Sequence, residues 1–200
     1  WLDEARFERL MEVFGRHPGA ADAIAFFTSE VHPCLAEDIL LPRIALLKRR
    51  MARARELGYA AGINVLATLG HHAEDMKQAL TGDYQRAIGP DGAVAEGCVC
   101  PADRNLHAYI RTVYTAAAKA KPDFIWVDDD VRMQGRGRTV IYSCFCDDCV
   151  KRFGERTGRT FTRETLAAEL CSPDPAVALA LRGLWQNHLE ELLRGIYRIV

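Results

Sequence analysis

No stretch of this 200-residue sequence stays apolar for the roughly twenty residues that a membrane-spanning helix needs. Its first residues, WLDEARFERLMEVF, are charged and amphipathic and lack the apolar centre of a secretory signal. Charge imbalance is missing too. Lys and Arg number 26 and Asp and Glu 27, for a net charge of −1, so no basic field is on offer to nucleic acid or to an anionic membrane. Internal repeats and low-complexity tracts are also lacking, which argues against solenoids and flexible linkers. What remains is a composition ordinary for a globular protein, 49% hydrophobic and 26% charged.

Cysteine is the exception. Seven cysteines are too few for a disulfide scaffold of this length, but they are clustered. Clustering favours a metal over disulfides, and with it a reducing, cytoplasmic setting. Cys144-Phe145-Cys146-Asp147-Asp148-Cys149 reads C-x-C-x-x-C, and Cys98-Val99-Cys100 lies upstream, just before a helix signal. Zn²⁺ takes four tetrahedral ligands and accepts thiolates readily. Three cysteines on a turn entering a helix, with one more from another loop, complete such a set. Buried structural thiols are the plain alternative, and a triple among polar neighbours fits it poorly. Cys34 and Cys171 read as structural or spare.

Strand and helix signals alternate along the chain. AIAFFTS at 23–29, AAGINVLATLG at 60–70 and DFIWVD at 123–128 are short, near-continuous apolar runs. Between them, Leu40, Ile44, Leu47, Met51 and Ala54 recur at helical spacing, as do Leu106, Ile110, Val113, Tyr114 and Ala117. Gly58 and Lys121-Pro122 close those helices. A polar, Gly-rich loop is expected over 81–102, a short extended piece at TVIYS (139–143), and helices near 147–157, 162–170 and 176–198. Continuous apolar strands with helices between them imply parallel pairing under helical cover, in an open sheet or a (β/α)8 barrel. Both forms place chemistry at the carboxyl ends of the strands.

Those ends are polar. The first finishes Thr28-Ser29-Glu30-Val31-His32, the second Gly70-His71-His72-Ala73-Glu74-Asp75, and the third Asp128-Asp129-Asp130 followed by Arg132. Adjacent carboxylates titrate as a set, and repulsion raises at least one of them. A carboxyl that keeps its proton near neutrality can protonate a departing glycosidic oxygen. Trp126, inside the third strand, reads as core before it reads as a sugar-stacking platform.

The segments VDDDVR and CFCDDCVKRFGERTG, followed by a Leu-rich stretch with Trp185, resemble the centre of the barrel domain of glycoside hydrolase family 42 and of glycosyl hydrolases near it. The resemblance covers about residues 98–155 and includes a Cys-Pro, here Cys100-Pro101, before a helix. It implies a parallel (β/α)8 TIM barrel within one domain over 1–200, present as roughly its first half, with the strands read above as strands 2 to 4. It implies structural zinc on Cys100, Cys144, Cys146 and Cys149, with Cys98 an extra or, like Cys34, a substitute fourth ligand. It implies a catalytic acid/base at Asp130 and a sugar-contacting Asp129. Asp128, His71, His72, Glu30 and Arg132 are then substrate-binding residues, and the nucleophile belongs to a later strand outside these residues. The family carries Asn-Glu where this chain has Asp129-Asp130. The shorter side chain falls about 1 Å short, a displacement that can cost about 10²-fold in rate.

The expected activity is therefore hydrolysis of a carbohydrate, with a second copy of the chain as a possible partner and with no nucleic acid or membrane involved. Two rivals stand beside it. One is a non-catalytic, zinc-stabilised carbohydrate-binding or structural domain. The other is an Asp-dependent phosphatase built on Asp128-x-Asp130, which departs from its usual pattern at Arg132.

Overall fold

A computed structural model describes residues 1–133 and 143–200. The expected extended piece at 139–143 lies, except for Ser143, outside the described residues. Three parallel strands form the main sheet: β1 (Ala23–Phe27), β2 (Ala60–Val65) and β5 (Ile125–Val127), in the order β1-β2-β5. Phe26 lies opposite Ile63, and Ile63 opposite Ile125. These are the three apolar runs of the sequence.

Helices α1 (Glu4–Arg16), α2 (Glu37–Glu56) and α3 (Arg104–Lys119) bury their apolar stripes together with this sheet. Phe7 and Met11 of α1, Leu40, Ile44, Leu47 and Met51 of α2, and Leu106, Ile110 and Val113 of α3 share one core with Phe26, Ile63 and Val65. The caps are local. The Asp3 carboxylate accepts the Arg6 N–H at 2.7 Å, and Asp103 accepts that of Leu106 at 2.8 Å.

The fold departs from the expected barrel. Among the described residues the parallel sheet has three strands, with Phe27 44% exposed and Trp126 60% exposed. Trp126 is therefore not core: it pairs with Asn64 on the face opposite the helices. The segment expected as a loop over 81–102 contains a separate antiparallel pair, β3 (Arg86–Ile88) and β4 (Val94–Val99), joined by Gly89-Pro90-Asp91-Gly92. The expectation failed because alternating strands and helices specify parallel neighbours but not closure into a barrel.

A second core lies behind this hairpin. Helices α4 (Asp147–Thr157), α5 (Arg163–Leu170) and α6 (Pro175–Tyr197) contribute Phe153, Leu166, Trp185 and Leu189, which pack with Ala87, Ala95 and the clustered cysteines. Among the described residues, no helix is long and apolar enough to cross a membrane.

Candidate metal centre and the polar rim

Cys100 follows β4, and Cys144, Cys146 and Cys149 lead into α4, with Cys146 as its N-cap. The two segments meet because the Phe145 N–H donates to the Ile88 carbonyl at 2.7 Å, which fastens the cysteine turn to β3. Behind it, the Trp185 indole N–H donates to Ser143 Oγ at 2.8 Å. The four sulfurs then lie within 4.8 Å of one another, all buried. Cys100 Sγ is 3.4 Å from Cys149 Sγ and 3.7 Å from Cys146 Sγ. A tetrahedral zinc with bonds of about 2.3 Å sets sulfurs about 3.8 Å apart, so the cluster has the size of a metal site.

The donor chemistry agrees with that geometry. Contacts among the thiols hold Cys144 and Cys146 below the usual thiol range and drive Cys100 and Cys149 above it. Four thiols this close cannot all ionise alone, and a divalent cation removes the conflict by holding all four as thiolates. The Ala102 N–H points at Cys100 Sγ from 3.4 Å, a donor suited to a thiolate. The buried four-cysteine set can thus hold a metal ion such as zinc. Cys98 is buried outside the set, Cys34 donates to the Thr68 carbonyl at 3.4 Å, and Cys171 is exposed.

The polar rim divides by burial. Asp130 is fully buried, and its Oδ2 accepts three backbone N–H groups: Thr68 at 2.6 Å, Leu69 at 2.7 Å and Gly70 at 2.7 Å. Burial pushes its carboxyl up to about 6, against the downward pull of those three donors. Its Oδ1 is buried without a partner among the described residues. Asp128 is half-buried and Asp129 exposed. Asp129 forms an ion pair with Arg132 at 3.0 Å. Glu30 lies apart, exposed and paired with Arg43 at 2.7 Å.

The turn gripped by Asp130 runs into His71 and His72. Gly70, at φ +74°, lies so close to β4 that a Cβ there would stand 2.1 Å from the Gly97 carbonyl oxygen. A Cβ on Gly97 would in turn stand 1.9 Å from the carbonyl oxygen of His72. Both glycines let the two backbones touch. His32, from the end of β1, joins His71 and His72, and Glu74 accepts hydrogen bonds from both the His32 ring and its backbone N–H. His71 and His72 are the substrate ligands expected from the sequence, whereas Glu74 carries no role in that reading. Its pairing with His32 spans 42 residues, and no local spacing rule reports it.

A cleft of about 640 Å³ lies elsewhere, between α4 and α5, and is lined by Asp147, Gly154, Arg159, Phe161 and Arg163. It contains neither the rim residues nor the cysteine sulfurs. Comparison with family models, with curated proteins and with solved structures finds no match for this chain.

Proposed function

We propose that this protein is a zinc-stabilised hydrolase acting on a carbohydrate, with a closed structural Zn²⁺ on Cys100, Cys144, Cys146 and Cys149 and its working groups at the end of β5. The observation that carries the reading is the convergence of Cys100, and not Cys98, on the other three sulfurs. That is the ligand set implied by the resemblance of residues 98–155. Four thiolates leave no open position, so the ion braces the loops and does not activate water.

In this reading Asp130 donates the proton to the leaving glycosidic oxygen through Oδ1, while Oδ2 stays anchored on the β2 turn. A carboxyl pushed up to about 6 keeps part of its protons near neutrality, as a general acid requires. Asp128, Asp129, Arg132 and the rim histidines supply hydrogen bonds to sugar hydroxyls.

The burial of Asp130 favours a second reading, in which that carboxylate is only an anchor and the rim binds sugar without turnover. Metal analysis with X-ray absorption on the purified protein tests the zinc, with one zinc held by four sulfurs expected. Turnover of a panel of glycosides separates the two readings. Sugar binding without hydrolysis selects the second, and neither binding nor hydrolysis removes the carbohydrate from both.

A further inference from the structure

The three imidazoles at the carboxyl ends of β1 and β2 form a ring. The His32–His71, His32–His72 and His71–His72 centroid distances are 4.6, 4.8 and 4.8 Å, and the rings are tilted by 57°, 52° and 56°. Equal spacing and equal tilt describe three blades around a common axis, not a stack. Each ring offers one nitrogen, and the three nitrogens lie within 4.8 Å of one another.

Their surroundings fit ligation. Glu74 takes the Nδ1 side of His32 and is itself held by the His32 backbone N–H at 2.9 Å. A carboxylate on one ring nitrogen fixes the tautomer, leaves the other nitrogen's lone pair free and raises its basicity, as outer-shell partners of metal-bound histidines do. His71 is only 4% exposed, and its Nδ1 has no partner among the described residues. A buried polar atom left in that state is costly, and a bound ion would remove the cost. The arm carrying His71 and His72 is gripped by Asp130 at Gly70 and packed on Gly97.

We infer that His32, His71 and His72 form a second, mononuclear site for a divalent first-row transition ion, with a fourth coordination position open to water or to an oxygen ligand. Imidazoles select Zn²⁺, Co²⁺, Ni²⁺ or Cu²⁺ over Mg²⁺ and Ca²⁺, which prefer oxygen. Three protein ligands and one open position distinguish this centre from the closed four-cysteine site. Metal–nitrogen bonds of about 2.0–2.1 Å require donors about 3.3 Å apart, so binding draws the rings inward. The inference rests on neither the carbohydrate reading nor the cysteine zinc.

The test loads the purified protein with one equivalent of Zn²⁺ to fill the cysteines, adds Co²⁺ and removes free metal by desalting. One equivalent of retained cobalt is expected, with visible ligand-field bands, imidazole nitrogen couplings in pulsed electron paramagnetic resonance, and no sulfur-to-cobalt charge transfer. His32 and His72 are only partly buried, so the double variant H32Q/H72Q should keep its fold and lose the retained cobalt. Glu74→Gln should weaken cobalt binding by about 10–100-fold, the range for outer-shell partners. A wild-type protein that retains no cobalt overturns the inference, as does a folded H32Q/H72Q protein that retains as much. Cobalt retained only with a thiolate charge-transfer band also overturns it, while leaving the cysteine site standing. If H32Q/H72Q does not fold, the nitrogen couplings of the wild-type complex decide: present, they uphold the centre, and absent, they end it.

Discussion

Asp130 and Gly70 are joined at 2.7 Å, carboxylate to backbone N–H, across 60 residues of sequence. One side chain at the end of β5 thus fixes the turn that follows β2. Thr68 and Leu69 donate to the same oxygen. Asp130→Ala leaves three buried donors without an acceptor, each costing about 1–3 kcal/mol, so a loss on the order of 3–9 kcal/mol is expected. Asp130→Asn keeps an acceptor and should lose much less. Chemical denaturation of the two variants checks the order, and equal losses would contradict the anchor.

The same carboxyl makes a pH prediction. Its value rises from about 4 in the unfolded chain to about 6 in the fold. A group raised on folding contributes stability that is complete below the unfolded value and is lost as pH rises through the folded one. The melting temperature of the wild type, measured relative to Asp130→Asn, should therefore improve as pH falls from 7 to 5. A difference that stays flat over that range contradicts a carboxyl titrating near 6.

For the cysteine site, Cys100→Ser should abolish stoichiometric zinc, and Cys98→Ser should leave one ion in place. Cys100 lies 3.4 Å from Cys149, whereas Cys98 stands outside the set. Chelation should lower the melting temperature of the wild type by much more than that of Cys100→Ser, because a structural ion's binding energy is folding energy. Loss of zinc in Cys98→Ser would transfer the fourth ligand.

Glycine substitutions test the backbone contact beneath the histidines. Gly97→Ala places a Cβ 1.9 Å from the His72 carbonyl oxygen, so the β4 backbone or the histidine turn must move. A destabilisation of about 3 kcal/mol or more is expected. Gly183, in α6, has nothing within 4 Å, and Ala there should stabilise by up to about 1 kcal/mol. Thermal melts of both variants check the contrast.

These contacts mark where the sequence could be read and where it could not. The stripe Leu40, Ile44, Leu47, Met51 and Ala54 is buried throughout, because helical periodicity reports burial directly. The triple Cys144, Cys146 and Cys149 was legible because thiolate spacing carries metal chemistry with it, while Cys100 as the fourth member was implied only by the family resemblance. The three parallel strands were legible as apolar runs, but the open sheet among the described residues was not, since neighbouring β-α units look alike in an open sheet and a barrel. The hairpin β3–β4 was hidden by the three-residue β3 and by Glu96-Gly97 within β4, although Gly89-Pro90-Asp91-Gly92 is a turn signal. Asp130 among its neighbours, and Glu74 on His32, depend on pairings 60 and 42 residues long that no window along the chain spans.

The proton-donor role of Asp130 has its own signature. A general acid matters most when the departing oxygen is basic and least when it leaves as a stabilised phenolate. Asp130→Asn should lower hydrolysis of alkyl glycosides and oligosaccharides by about 10²–10⁴-fold, the usual contribution of such a group. Hydrolysis of nitrophenyl glycosides should fall much less. Because Asp130 also anchors the β2 turn, both rates must be compared in protein shown to be folded at the assay temperature. Equal losses on the two substrate classes would mean that the anchor alone was removed, and the non-catalytic reading of the rim would then hold. Unchanged rates on both would take Asp130 out of the chemistry and return the search for the acid to the exposed Asp129 and half-buried Asp128 beside it.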